Sequence, residues 1–587
     1  MKERVADIIM DILVENRITD CFAVVGGGAM HIDNALALRS DIHKVFCHHE
    51  QACAMAAEGY AKACGKMALV SVTSGPGALN TLNGVQGAWV DNTPMLVIAG
   101  FPRYDSSIEP TGLNLRCRGV QEFDAVSAVK GFTKYAKLVT DPLSIKQELQ
   151  KAIDIAMQGR KGPVWLSIPL DIQSTIVETD DLYPVEKLEP PKWDLTEDVL
   201  VTINNEIANA KCPCILTGSA IRTSNSIELF RSWVRKLNIP IVGGALQADI
   251  LYEGFPNYYG MSGNIGPRKG NFILQNADLI IVVGNSLSTK QTGFNQELFA
   301  PKARIIMIDV EMDEMKKPGL HIDYAIHSEI RAFLEYSMGH IEPWNIKRDW
   351  IKYCDSLDEL IGTIDVPYYE SQKERVSYKS VALEGLELLK VDSILALGNS
   401  NGMLAFLQND VKTAQQRVVV NYNSGSMGDD ITEAIGVAVA TQREVVCVTG
   451  DGSVMMNLQE LQTIKHYNLP IKIIIMSNNG YGALRQTYKN FYEGIYIGCD
   501  SESGVSFPDF SKVADAFDFS YDVVKCIGEL KEKMKLFFDS EKQMILEIKQ
   551  KFDDPVLPKV MSKMKDDGTF YTPALDEMYP FIEFKEE

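Results

Sequence analysis

The sequence predicts an α/β protein of three doubly wound domains with mainly parallel sheets. Three observations carry that expectation. Apolar runs of strand length, rich in β-branched residues, alternate with helical patterns along the whole chain. The 587 residues exceed what one hydrophobic core can organise. Two polar stretches divide the chain into segments of ordinary domain size.

The amino terminus, MKERVADIIMDILVENRITD, spaces its apolar residues as an amphipathic helix and lacks the apolar core and cleavage site of a signal peptide. The runs MALVSV, PMLVIAG and PVWLSIP follow, then PCILTG, IPIVGG, LIIVVG and RIIMIDV, then SILAL, VVVNYN, VVCVTG, IKIIIMS and QMILEI. Continuous apolar runs of this kind are strands buried on both faces, as in parallel sheets covered by helices. The proline-bearing stretch YPVEKLEPPKW reads as a linker, and the polar segment after Trp344 to about Glu374 as a second. The expected domains are 1–182, 190–345 and 375–555, with a tail at 556–587.

Composition narrows the function. The 46% hydrophobic and 23% charged residues fit a packed protein. A formal charge of −20 repels nucleic acid and anionic lipid, so neither is an expected partner. No stretch approaches the ~20 apolar residues of a membrane span. Eleven scattered cysteines, with no zinc or redox spacing, read as reduced thiols and a cytoplasmic location.

In open α/β sheets, ligands sit beyond the carboxyl ends of strands, often where a glycine-rich turn opens a helix. In the third domain the strand EVVCVT runs into Gly450-Asp451-Gly452-Ser453 and the helical pattern MMNLQELQTIKHYNL, and IKIIIMS then delivers Asn478 and Asn479. Asp451 and Asn478 are 27 positions apart, enough for a turn, a helix and a return strand. One carboxylate, one amide oxygen and the Gly480 carbonyl make a hard-oxygen set for Mg²⁺ that leaves room for two phosphate oxygens. Backbone N–H groups near Gly452 and Ser453 would meet the same phosphates. A lone Gly-Asp-Gly is common in plain strand–turn–helix units, so the arrangement rests on the full pattern.

That pattern, GDGS followed by a helix and SNN, resembles the thiamine diphosphate signature of the acetolactate synthase and pyruvate decarboxylase superfamily. The resemblance implies domains for pyrimidine binding, a central domain and a domain for diphosphate binding, in that order. It extends from about residue 3 to about residue 550, and is strongest near 50–100 and 447–486. Gly398-Asn399-Ser400 stands where the superfamily has further diphosphate contacts. In Asn423-Ser424-Gly425-Ser426-Met427-Gly428, Met427 would prop the cofactor and the Gly425 carbonyl would accept from its aminopyrimidine. Cys47-His48-His49-Glu50-Gln51 resembles the family element whose glutamate hydrogen-bonds the aminopyrimidine nitrogen and so promotes loss of the thiazolium C2 proton. A helix-opening carboxylate stabilised by the macrodipole is the bland alternative for Glu50. SVTSGPGALNTLNGVQGAWVDNTPMLVIAG resembles the acetolactate synthase segment, with Thr73 and Gly75 beside the cofactor ring. By the same resemblance Gly27 and Gly28 belong to an early glycine-rich loop, and His49, Gln121 and Lys134 are further catalytic candidates. Glu50 and the Asp451 group come from different subunits in that family, which implies a homo-oligomer.

Departures shape the expected reaction. Leu287-Ser288-Thr289-Lys290 replaces a Phe-Asp-Asp-Arg stretch whose arginine helps hold a flavin; lysine is a poor substitute for a forked guanidinium, which argues against FAD. Thr487, three residues after Leu484, stands where biosynthetic relatives have a pocket-shaping tryptophan. Asp429-Asp430-Ile431-Thr432 replaces a Tyr-Gly-Leu-Pro-like stretch. The expectation is a thiamine diphosphate- and Mg²⁺-dependent enzyme that decarboxylates a 2-oxo acid, pyruvate first among them, and joins the acyl unit to a second carbonyl compound. The acceptor is a 2-oxo acid or a bulkier ketone such as a 4-keto nucleotide sugar. A simple decarboxylase that releases an aldehyde, and a non-catalytic relative, stay open on sequence alone.

Overall fold

A computed structural model describes residues 1–370, 376–551, 554–565 and 567–581. Each of the three expected regions holds one six-stranded sheet, and all the strand pairs within these three sheets are parallel.

The first sheet contains β1 (Asp20–Val24), β2 (His43–Phe46), β3 (Leu69–Val72), β4 (Met95–Phe101), β5 (Tyr135–Leu138) and β6 (Pro163–Pro169), in the order β2-β1-β3-β4-β6-β5. The central sheet contains β7 (Pro213–Thr217), β8 (Ile241–Gly243), β9 (Tyr258–Met261), β10 (Leu279–Val283), β11 (Arg304–Asp309) and β12 (Tyr324–His327), in the order β9-β8-β7-β10-β11-β12. The third contains β13 (Ile394–Leu397), β14 (Arg417–Val420), β15 (Val445–Gly450), β16 (Ile471–Ser477), β17 (Ser520–Val524) and β18 (Met544–Lys549), in the order β14-β13-β15-β16-β18-β17. The first and third sheets thus share one topology. In both, the winding direction reverses beside the first strand, and that reversal opens a crevice at the carboxyl edge.

The strands read as buried runs because they are covered on both faces: every residue of β3, β4, β6, β10 and β16 is buried. Helix α1 (Glu50–Cys64) joins the first domain to the third. Its Ala52–Ala57 run is wholly buried, and small side chains let a second helix approach closely. Further helices used below are α2 (Arg348–Glu370), α3 (Tyr378–Leu388), α4 (Asp429–Thr441), α5 (Asp451–Val454), α6 (Glu460–His466) and α7 (Gly482–Phe491). α4 is the partner of α1, and one apolar cluster runs from Val70 and Val97 through Ala56, Ala57, Ile435 and Ala438 to Val445 and Ile473. Two domains are therefore fused through a helix pair.

Three sequence expectations change. The segment after Trp344 is no linker over most of its length, because α2 fills it. Trp350, Cys354 and Leu357 recur at helical spacing and are buried in the central core, and Arg268 pairs with Asp365 at 3.0 Å. The end of that expected linker, residues 371–375, lies outside the described residues. The helix expected after Asp451 is broken between α5 and α6, where the Asn457 amide leaves the helical path to donate to the Gly428 carbonyl at 2.9 Å. The tail, as far as residue 581, folds back on the central domain: Arg268 donates to the Met578 and Pro580 carbonyls, and Leu575 joins the central core. Among the described residues no helix is long and apolar enough to cross a membrane.

Candidate functional site

The third sheet gathers most of its sequence-marked residues at its crevice. Asp451 opens α5 directly after β15, and Asn478 follows β16 directly. One Asp451 oxygen accepts from the Asn478 N–H at 2.9 Å and from the Gly480 N–H at 3.2 Å, so the two strand ends are tied by a single carboxylate. Burial pushes that carboxyl up to about 6, against the pull of the backbone donors. The Asn478 amide donates to Tyr378 Oη at 2.8 Å and accepts from Arg485 Nη2 at 2.8 Å. Tyr378 and Arg485 had no motif to mark them. Tyr378 begins α3 and Arg485 sits in α7, so only folding brings them to the amide.

Close approach explains the glycines. A Cβ on Gly452 would lie 2.3 Å from the Tyr481 ring and 3.4 Å from Met427 Cε, so the half-buried Met427 side chain rests against the Asp451 turn. Ser453 Oγ accepts from the Gly428 N–H at 2.8 Å. After β13, Asn399 Nδ2 donates to the Gly425 carbonyl at 2.6 Å, while Ser400 adopts a left-handed φ of 89°. A side chain at Gly398 would collide with Asp430, whose carboxylate oxygen lies 2.0 Å from the Cβ position. Gly398, Asn399, Ser400, Gly425, Met427, Asp451, Gly452, Ser453, Asn478 and Gly480 thus form one connected shelf. Leu484 and Thr487 project from α7 beside it, both exposed; Thr487 Oγ1 bonds back to the Ala483 carbonyl at 3.2 Å.

The first sheet gathers the other set at its own crevice. Thr73 Oγ1 accepts from the Gly28 N–H at 2.9 Å, and Gly27 is open to solvent. Gly75, at φ 61°, packs so tightly on Gln121 that a Cβ would meet its carbonyl oxygen at 2.3 Å. Glu50 is half-buried, accepts from Asn80 Nδ2 at 3.0 Å, and lies 3.3 Å from where a Gly77 Cβ would stand. Gly27, Gly28, Glu50, Thr73, Gly75 and Gln121 therefore share one edge.

Of two further expected residues, His49 keeps its place beside Glu50 but has a structural task, and Lys134 stands apart from both groups. His49 uses Nδ1 to accept from the Gln51 N–H at 3.1 Å, so its ring caps α1. Lys134 precedes β5 and its N–H bonds the Pro163 carbonyl at the start of β6, which puts it at the amino edge of the sheet, opposite Glu50. Its ammonium donates to the Gln158 carbonyl at 2.6 Å, and burial pulls it down to about 8. Lys290 likewise serves another contact: it reaches from the central domain to the Tyr422 carbonyl and lies over the Tyr422 ring, 4.4 Å from its centroid. No hydrogen bond or ion pair among the described residues joins the Glu50 carboxylate to the Asp451 shelf.

Comparison with known families matches three stretches of the chain. Residues 3–127 match the thiamine pyrophosphate enzyme N-terminal TPP binding domain, residues 201–336 its central domain, and residues 397–548 its C-terminal TPP binding domain. The acetolactate synthase isozyme 2 large subunit of Escherichia coli K12 is 30% identical over 515 residues, covering 84% of this chain and 86% of that protein. The acetolactate synthase large subunit of Lactococcus lactis is 27% identical over 98% of this chain and 97% of its own length. A probable acetolactate synthase large subunit of Methanococcus aeolicus is 29% identical, over 92% and 91% respectively. With its domains matched in order and full-length relatives aligned, the chain belongs to the thiamine pyrophosphate-dependent enzymes, as an acetolactate synthase-like member.

Proposed function

We propose that the enzyme decarboxylates a 2-oxo acid, pyruvate first among candidates, and transfers the acyl unit to a second carbonyl compound. The observation that carries this reading is the Asp451–Asn478 junction, a buried carboxylate and amide tied together at the carboxyl edge of a parallel sheet, beside its switch point. Asp451, Asn478 and the Gly480 carbonyl would hold Mg²⁺. They fit: among the described residues Asn478 Oδ1 accepts from Arg485 alone, which leaves a lone pair, and the Asp451 carboxylate is buried beside it with no cation of its own among the described residues. Gly398, Asn399, Ser400, Gly452 and Ser453 would hold the diphosphate, and Met427 would support the cofactor between its rings.

Bound thiamine diphosphate supplies a carbon nucleophile and an electron sink for cleaving the carboxyl group of a 2-oxo acid. Glu50 would share a proton with the ring nitrogen of its aminopyrimidine. Asn80 holds that carboxylate by one oxygen at 3.0 Å, and among the described residues no hydrogen bond reaches the other, which would face the ring. Gly27, Gly28, Thr73 and Gly75 would line the approach, with Gln121 at the loop above.

The Glu50 edge and the Asp451 shelf stand on different sheets, and exposed apolar side chains flank both: Val25, Phe46 and Leu79 near the first, Leu484, Phe491, Tyr492 and Ile495 near the second. A homodimer that brings one chain's Glu50 edge to the other's Asp451 shelf would cover them. Thr487, small and exposed on α7, favours a bulkier acceptor than a 2-oxo acid, such as a 4-keto nucleotide sugar.

The test is incubation with pyruvate, thiamine diphosphate and Mg²⁺, with and without candidate acceptors, and mass spectrometry of the products. Ligation products that require an acceptor support the reading. Aldehyde release at the same rate without acceptor makes the enzyme a simple decarboxylase, and absence of pyruvate consumption removes the donor assignment.

A further inference from the structure

Where α1 and α4 cross, four carboxylates are buried around one ammonium. Glu58 and Lys62 come from α1, Asp91 from the turn before β4, and Asp429 and Glu433 from α4. Glu58, Asp429 and Glu433 are 0%, 2% and 0% exposed. Lys62 Nζ lies 2.7 Å from Glu58, 2.7 Å from Glu433 and 3.0 Å from Asp91, and also donates to the Val420 carbonyl. Among the described residues no other cation lies within ion-pair distance of the four.

Donors are distributed unevenly among them. Asp91 is well supplied, accepting from the N–H groups of Tyr422 and Asn423, from the Asn423 amide and from Lys62. Glu58 accepts from Asn421 Nδ2 at 3.1 Å. The Asp429 carboxylate, by contrast, accepts no hydrogen bond among the described residues. Its Oδ1 and Glu433 Oε2 are buried with no hydrogen-bond partner among the described residues. Two orphaned carboxylate oxygens at one spot are costly to leave unpaired, and four buried carboxylates facing one ammonium cannot all ionise without a further cation.

One oxygen from each of Glu58, Asp429 and Glu433 lies within 4.8 Å of the other two. Three atoms so spaced share a centre no more than about 2.8 Å from each, close to the 2.3–2.6 Å at which calcium binds oxygen. We propose that Glu58, Asp429 and Glu433 bind a divalent cation of about calcium's or manganese's size, clamping α1 to the start of α4. The ion offsets two of the negative charges its three ligands carry when ionised, while Lys62 pairs with Glu58, Glu433 and Asp91. Burial and mutual repulsion hold the Asp429 carboxyl well above its usual range without the ion, which is the strain the ion relieves. Because Gly428 and Met427 immediately precede Asp429, the clamp also fixes the turn against which the Asp451 shelf packs. Its ligands are distinct from Asp451 and Asn478, and the inference does not rest on the cofactor assignment.

The experiment uses the full-length protein, stripped with chelator and kept free of thiamine diphosphate, titrated calorimetrically with Ca²⁺ alone or Mn²⁺ alone. Bound metal per chain is counted by elemental mass spectrometry, and unfolding temperature is followed in parallel. Wild type and Asp451→Asn should each retain a bound ion and melt higher with it. Asp429→Asn and Glu433→Gln should bind at least about tenfold more weakly and lose the metal-dependent shift. Glu433→Gln serves as the second variant should Asp429→Asn fail to fold. Two results overturn the proposal: wild type whose only ion is lost in Asp451→Asn, or Asp429→Asn and Glu433→Gln that bind as wild type does. Apoprotein made more stable by Asp429→Asn, with no ion bound by wild type, likewise overturns it, since the cluster then rests on shared protons. Loss of a second ion in Asp451→Asn, with one ion still retained, bears only on the separate Mg²⁺ reading.

Discussion

Replacing Gly436 by alanine tests whether the α1–α4 contact organises the enzyme. The added Cβ would stand 1.8 Å from the Ala56 carbonyl oxygen and 2.7 Å from the Tyr60 nitrogen, both backbone atoms of α1. Contacts below 3.0 Å are essentially never made by real Cβ atoms, so the helices must separate by more than an ångström. No flexible side chain can absorb that shift. Gly59 faces the same constraint from the other side, 2.4 Å from the Glu433 carbonyl oxygen. Separation would also stretch the 2.7 Å Lys62–Glu433 pair and open the apolar cluster shared by the two sheets. Overpacking costs about 1–3 kcal/mol where side chains can yield; with backbone on both sides the expected loss is about 3 kcal/mol or more. The assay is comparative urea unfolding, with Gly131→Ala as control, since a Cβ there meets nothing within 4 Å. Gly436→Ala should unfold at markedly lower urea and bind thiamine diphosphate poorly. A variant within about 0.5 kcal/mol of wild type would refute the contact as drawn.

Further outcomes follow from the same geometry. Glu50→Gln should fold and bind cofactor normally, because an amide oxygen can still accept from Asn80, while turnover falls at least about 100-fold; full activity would remove Glu50 from the reaction. Thr487→Trp should shift product ratios toward the smaller acceptor by about tenfold, measured by competition between two acceptors, and an unchanged ratio excludes Thr487 from the pocket. In the cation-free protein, burial raises Glu58 from 4.5 to about 8, so the folded state holds a proton that the unfolded chain releases. That contribution to stability is complete below pH 4.5 and is lost as pH rises to about 8, with Asp451 adding the same sign between 3.8 and about 6. Urea midpoints across this range should fall with pH, and Ca²⁺ should flatten the slope; a midpoint that rises with pH contradicts the buried cluster.

The amino-acid sequence by itself determined the three doubly wound domains, because runs such as LIIVVG and IKIIIMS carry the signature of strands buried on both faces. It also placed Asp451 and Asn478 together, since a strand, a turn, a helix and a return strand leave their ends few places to be. Periodicity and spacing are local, and local information survives in a single chain. What depended on docking did not. Lys134 lies close to Gln121 in sequence, yet the direction of β5 carries it to the opposite edge from Glu50. The polar stretch after Trp344 hid a helix, because its stripe of Trp350, Cys354 and Leu357 gains meaning only against the central core. Tyr378 and Arg485 reach Asn478 through α3 and α7, with no spacing rule linking them. The tertiary structure alone decided that Glu58 meets Asp429 and Glu433, more than 370 positions away. Two helices of small residues must first pack at backbone distance, and only then do carboxylates far apart in the chain become a buried cluster short of cations.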